Sequence, residues 1–298
     1  MNHQTRGTEP TMSVRFWGVR GSIASPGPDT ATVGGNTSCV EVTCGDRRIV
    51  LDAGTGLRRL GEQLMKGGGP EGLELDLLLS HCHWDHIQGL PFFVPAYLPS
   101  TKLRIHGATS GGVSVAAALA HQMIAPVFPV RLDELSARME FHEARPGRPF
   151  ALGDAVVRSA RGNHPGGVLA YRIDYAGSSV VYATDTEHYA CVDPALRALA
   201  DGADVLIYDA QYTPEEYRGE PGRSKVGWGH STYVAAAELA KASGVGRLVL
   251  FHHDPQRNDA GVAAVEGRAR QLFARTVAAR EGLALDLSPG AAGGERAA

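Results

Sequence analysis

The strongest constraint on the fold is one short stretch, Ser80-His81-Cys82-His83-Trp84-Asp85-His86, directly after the apolar run Leu75-Asp76-Leu77-Leu78-Leu79. Three imidazoles and a carboxylate packed this closely mark a metal site, because imidazole and carboxylate suit zinc, manganese or iron. A strand that ends in a tight loop aims alternate side chains at one point. His81 and His83 are two apart and Asp85 and His86 adjacent, so one cation would take the first pair and a second cation the other. The string predicts a two-metal centre, and therefore a fold that brings further ligands to the end of the same strand.

Composition limits the partners. A chain of 298 residues supports one large domain or two modest ones with a substantial core. With 20% charged residues and a formal net charge of −3, no whole-protein field would hold a long nucleic acid. Residues 1–11 lack the apolar core of a secretory signal, and no apolar stretch approaches the roughly 20 residues that span a bilayer. Cys39, Cys44, Cys82 and Cys191 include no CxxC pair and make no disulfide framework, so a reducing cytoplasm is the expected location. Alternation turns Cys82 away from its neighbouring ligands and makes it a packed thiol.

Along the chain, short strand-like runs alternate with helical segments. Extended segments are expected at Val14–Val19, Ser38–Cys44, Arg48–Leu51, Leu75–Leu79, Leu103–His106, Ala155–Ala160, Val168–Asp174, Ser179–Ala183, Val205–Tyr208 and Arg247–Phe251. Helices are expected at Gly56–Met65, Val113–Met123, Pro194–Ala200, Thr232–Ala242 and Ala260–Arg280, with Gly244 stopping the fourth. The pattern is a layered α/β domain over residues 12–287, with a disordered extension at 1–11 and a disordered tail at 288–298. Pro26-Gly27-Pro28 and Gly34-Gly35-Asn36-Thr37 bracket a loop that is either a long hairpin connection or part of the mouth of the site, with Asn36 a substrate candidate.

The HxHxDH string cannot fill two coordination shells alone. His164 in Gly162-Asn163-His164-Pro165, Asp185 after Val180-Val181-Tyr182-Ala183, and His252 after Leu248-Val249-Leu250-Phe251 each stand where a strand gives way to a loop, as ligands in α/β enzymes do. Asp52, ending another strand, would orient a ligating imidazole or the HxHxDH loop.

The blocks LDAGTG, HCHWDH, NHPGG, ATDTE, GHST and LFHHDP, in this order from about Val14 to Leu287, resemble the metallo-β-lactamase fold superfamily. The resemblance implies a four-layer αββα sandwich, in the α+β or α/β class, with metals at one edge. It implies His81, His83 and His164 as ligands of a first divalent cation, and Asp85, His86 and His252 of a second, with Asp185 bridging. Zinc is expected foremost, manganese or iron being alternatives. Either His252 or His253 would serve, His252 being preferred as the first residue after its strand. The metals would activate a hydroxide, Asp85 and His230 being the catalytic residues. His230 in Gly229-His230-Ser231-Thr232 resembles a histidine beside the metals of the tRNA 3′-processing ribonucleases and their phosphodiesterase relatives. It stands just before a helix N-cap, poised to protonate a leaving alkoxide or to hold a phosphoryl oxygen.

Departures from the ribonuclease pattern narrow the expectation. His164 and Asp185 are 21 positions apart, too close for the tRNA-gripping arm that resembles an insertion in that interval, and Asp209-Ala210-Gln211-Tyr212 replaces a His-Glu-containing stretch. Gln122–Val130 would suit a wall over the metals, a subunit contact that makes a homodimer, or ordinary core packing. Trp84, Trp228 and Tyr212 are expected to pack in the core or to face the cavity. The expected activity is hydrolysis of a small phosphodiester: a cyclic nucleotide, a cyclic sugar phosphate or a short oligonucleotide. No long nucleic acid and no membrane is expected as partner. The alternatives are a carboxylic ester, thioester or lactam hydrolase and a non-catalytic metal-bearing sensor.

Overall fold

The computed structural model describes residues 12–66, 72–288 and 294–296. The first sheet contains β1 (Met12–Gly18), β2 (Cys39–Cys44), β3 (Arg47–Leu51), β4 (Glu74–Leu78), β5 (Lys102–Gly107) and β6 (Arg138–Glu143). The second contains β7 (Phe150–Leu152), β8 (Ala155–Gly162), β9 (Val168–Tyr175), β10 (Ser178–Ala183), β11 (Val205–Asp209), β12 (Arg247–Phe251) and β13 (Thr276–Ala278). The chain then returns to the first sheet with β14 (Ala284–Leu287) and β15 (Gly294–Arg296), giving the order β15-β14-β1-β2-β3-β4-β5-β6 beside β13-β12-β11-β10-β9-β8-β7.

Two-residue alternation builds the layers. In β10, Val180 and Tyr182 face the other sheet, in one core with its Phe16, Val40 and Leu51 and with Phe251 of their own sheet, while Val181 and Ala183 face outward. The outward faces are covered on one side by α1 (Gly56–Leu64), α2 (Trp84–Ile87) and α3 (Val115–Gln122), and on the other by α4 (Pro194–Ala200), α5 (Pro214–Arg218), α6 (Tyr233–Ser243) and α7 (Asp259–Leu272). The result is the expected αββα sandwich. Each fully buried Leu, Val, Ile or Phe in it contributes about 1.5–3 kcal/mol of transfer free energy.

Three local expectations change. The helix expected at Ala260–Arg280 ends at Leu272, because the β-branched pair Thr276-Val277 pairs in parallel with β12 as β13. Gly294–Arg296, in the expected tail, pairs with β14, while residues 1–11 and the rest of 289–298 lie outside the described residues. The segment Gln122–Val130 divides: Met123, Phe128 and Val130 pack against the core beneath α1 and α3, whereas Ile124 and Val127 are exposed. Strands β6 and β7 carry no alternating apolar signal and went unforeseen; both are polar or short edges.

Candidate metal centre

Strands β3 and β4 run parallel in one sheet, and β10, β11 and β12 run parallel in the other. Their C-terminal ends meet at one edge and hand over to Asp52, Ser80-His81, Asp185, Asp209 and His252. Three of these residues adopt left-handed backbone conformations: Asp52 at φ 62°, Asp185 at 51° and His252 at 59°. Non-glycine residues pay about 1–3 kcal/mol there, a strain held by the packed strands behind them and concentrated where side chains must be re-aimed. His83 caps the N-terminus of α2 in an extended conformation, and Asp85 and His86 follow in its single turn.

The structure brings all seven residues expected as ligands together. His81, His83 and His164 form one group, with His83 Nδ1 and His164 Nε2 2.9 Å apart. Asp85, His86, Asp185 and His252 form a second: His86 Nε2 lies 3.2 Å from Asp85 Oδ2 and 3.3 Å from Asp185 Oδ1, and His252 Nε2 lies 3.3 and 3.2 Å from the same two oxygens. Asp185 faces both groups. Its Oδ1 points to the second, while Oδ2 lies 3.9 Å from His81 Nε2 and 3.8 Å from His164 Nε2.

The donor set fits a divalent cation on the chemistry of its outer hydrogen bonds. His86 donates Nδ1–H to Asp52 Oδ2 at 2.7 Å, His164 donates Nδ1–H to the Gly229 carbonyl at 2.9 Å, and His252 Nδ1 faces Gln211 Oε1 at 3.0 Å. Each bond fixes the tautomer that leaves Nε2 with its lone pair pointing inward. The Nε2 atoms of His81 and His86 are buried without a hydrogen-bond partner, a costly arrangement that a coordinated cation relieves. Burial pushes the His81, His83 and His164 imidazoles below their ordinary value, which keeps them neutral and able to ligate.

Beside this set stands His230. Its Nδ1 lies 2.9 Å from Asp209 Oδ2, and its ring stacks on His252 with centroids 5.0 Å apart. Burial alone would lower its pKa, but Asp209 outweighs burial and raises it to about 9. The helix N-cap behind it is formed as expected, with Thr232 accepting from the Ala235 amide.

The supporting residues are where sequence reasoning was thinnest. Asp52 behaves as expected, accepting from Ser80 N at 2.7 Å, Ser80 Oγ at 2.8 Å and Tyr182 Oη at 2.7 Å besides His86. Asp209 was not anticipated as a site residue. Wholly buried, it accepts from the amides of Asp185, Gln211 and Ser231 as well as from His230. Its signal was in view: it ends the apolar run Val205–Tyr208, the position that flagged Asp185 and His252. Glu187 accepts from the amides of Gly227 and Gly229 and from Tyr217, and so fixes the loop whose carbonyl orients His164. Ser22 holds Asp85 Oδ2 through its amide at 2.8 Å. Neither Glu187 nor Ser22 carries a motif that separates it from an ordinary loop residue.

Other expectations are corrected. Asn36 binds Glu281 through its amide and side chain, so the Gly34–Thr37 loop is tied to the turn before β14. His253 points to the Ala279 carbonyl at 2.8 Å, and burial lowers its pKa to about 3; it is a neutral structural donor, and His252 is the residue at the centre. Tyr212 is buried, its ring centroid 6.0 Å from that of His230. Trp84 and Trp228 are 66% and 43% exposed, so neither packs in the core, and Lys225 Nζ lies 4.1 Å from the centroid of the Trp228 ring. Cys82 packs against the core as expected, and burial raises its thiol to about 11.

Two facing sheets, helices outside and a histidine–aspartate ligand set at the strand ends define a metallohydrolase-type sandwich. A family model described as a Beta-lactamase superfamily domain matches residues 47–253. Ribonuclease Z of Mycobacterium sp. (strain KMS) is 30% identical over 271 residues, spanning 85% of this chain and 89% of that protein. The metallo-beta-lactamase fold protein YhfI from Bacillus subtilis superposes with a TM-score of 0.70 at 20% identity over 93% of this chain and 100% of its own. The short form of human tRNase Z superposes at 0.65 and 21% identity over 94% and 100%. The chain belongs to the metallo-β-lactamase fold superfamily.

Proposed function

We propose that the protein is a phosphodiesterase for a small phosphodiester, working with two divalent cations, zinc foremost. His81, His83 and His164 would hold one cation and Asp85, His86 and His252 the other, with one oxygen of Asp185 turned to each. Bound there, divalent cations supply Lewis acidity, lowering the pKa of water and neutralising charge on phosphoryl oxygens. The observation that carries the reading is His230. An imidazole held by Asp209 at the border of the ligand set is placed to act as general acid for a leaving alkoxide, the group that phosphodiester cleavage must protonate. Asp209 orients that ring through Nδ1 and leaves Nε2 as the donor toward substrate.

The ribonuclease relatives support RNA as a second reading of the substrate. Against a tRNA-sized one stands the interval between His164 and Asp185, filled by β9, the tight turn at Ala176-Gly177 and β10, whose Tyr175 and Ser178 pair directly. The test compares bis(p-nitrophenyl) phosphate, a chromogenic carboxylic ester, a lactam and a precursor tRNA on zinc- or manganese-loaded protein. Diester turnover that dominates is the expected result. Rapid ester cleavage with an inert diester would reject the proposal, tRNA cleavage would favour the second reading, and two metal equivalents with no turnover would indicate a sensor. His230→Ala is expected to depress kcat with metal content intact, and Asp185→Ala to lose metal.

A further inference from the structure

A second cavity, of about 600 Å³, opens on the flank of the sandwich at the edge strands β6 and β7, and none of the seven candidate ligands lines it. One wall is a stack of three flat rings. His106 on β5 lies between His142 on β6, at 4.8 Å and 20°, and Phe150 on β7, at 5.0 Å and 8°. His106 is buried, and its Nε2 has no hydrogen-bond partner, with Asp76 Oδ1 3.6 Å away; His142 is exposed.

The cavity is also rich in arginine, and the guanidinium groups are not equivalent. Arg47 and Arg104 are committed to Asp76 and Glu74, and Arg145 is committed to Glu143. Arg148 lines the same cavity with no carboxylate partner among the described residues. One unneutralised guanidinium lining the same cavity as an exposed ring is a combination that selects its ligand. A flat aromatic group extends a ring stack by offset stacking, and a guanidinium fork takes a phosphate or carboxylate through paired N–H donors. The volume lies in the range of small-molecule sites.

We infer that this cavity is a binding site, separate from the metal centre, for a planar aromatic anion of the nucleoside monophosphate class. Its base stacks on the free face of His142, and its phosphate pairs with Arg148. The inference stands on the flank geometry and does not depend on the reaction catalysed at the metals.

The test is isothermal titration of the full-length, metal-loaded protein with adenosine 5′-monophosphate, adenosine and inorganic phosphate in separate arms. One-site binding of the monophosphate is expected, with each fragment at least about tenfold weaker. Arg148→Ala and His142→Ala should each weaken the monophosphate by about 10- to 100-fold while metal content and diester turnover stay unchanged. His230→Ala should leave this binding intact, which separates the flank from the metal centre. Absence of saturable binding up to about 10 mM would overturn the inference. So would an undiminished affinity in Arg148→Ala, or a loss of binding in His230→Ala. Equal affinity for phosphate alone would reject the aromatic half of the ligand and with it the site as described.

Discussion

Asp52 touches no candidate cation directly, yet the geometry makes Asp52→Asn an exacting perturbation. The wild-type carboxylate is wholly buried and accepts from four donors, Ser80 N on Oδ1 and Ser80 Oγ, Tyr182 Oη and His86 Nδ1 on Oδ2. Asparagine has the same shape but replaces one acceptor with an NH2 group. If that group takes the Oδ1 position it opposes the Ser80 amide, which has no alternative direction in which to donate. If it takes the Oδ2 position, His86 must accept at Nδ1 and carry its proton on Nε2, the atom that faces Asp85 and Asp185. Either placement strands at least one buried donor, and the charge that strengthened the remaining bonds is gone. Hydrogen bonds to buried charged groups contribute about 1.5–3 kcal/mol each, so a net loss of about 2–4 kcal/mol is expected. For a chain of this size that corresponds to a melting temperature lower by about 4–8 °C. Thermal unfolding followed by circular dichroism in chelator measures the loss without contribution from metal. Atomic emission analysis then reads metal retained after dialysis, which should fall in the variant. A melting temperature within about 1 °C of wild type, with full metal retention, would show that the four-donor account of Asp52 is wrong.

Three other outcomes follow from the same geometry. Gly229→Ala places a Cβ 2.1 Å from His164 Nδ1 at a backbone φ of +86°, so turnover should drop by about 10²-fold with the far-ultraviolet spectrum preserved; near-wild-type rates would refute the role of that close approach. Of the free thiols, Cys191 is exposed whereas Cys39 and Cys44 are buried, so Ellman's reagent should titrate Cys191 first in the native protein and the buried pair only in denaturant. Alkaline pH should destabilise the fold. Burial raises Cys44 from its ordinary 9.0 to about 12, so the unfolded chain loses its proton first and stability present below about pH 9 is lost as pH rises toward 12. Cys44→Ala should flatten the melting temperature against pH across that window, and an unchanged slope would remove Cys44 as a cause.

The sequence was legible wherever one residue type can do only a few things. A run such as Leu75–Leu79 followed by HCHWDH announces a strand with ligands at its end, and the same reading placed His164, Asp185 and His252 correctly at strand ends. Helix stops at Gly244 and caps at Thr232 were equally readable, because glycine alone tolerates the left-handed C-cap and a hydroxyl satisfies free helix amides. The edge strands β6 and β7 were not readable, since an edge strand needs neither alternation nor apolar content. Residues Ala260–Arg280 read as one helix because their composition is helical. Only the free edge of β12 decides that Thr276–Ala278 extends the sheet.

The sequence by itself determined the chemistry available: imidazoles, carboxylates and a histidine before a helix cap, arranged in the order of a known superfamily. Tertiary structure alone decided which of them meet. Asp209 became the anchor of His230, and Asn36 and His253 became structural, because hydrogen-bond partners far apart in the chain choose where a polar side chain points. Ligand identity is local, carried by the side chain itself, whereas ligand orientation is set by partners that only the packed sheets bring within reach.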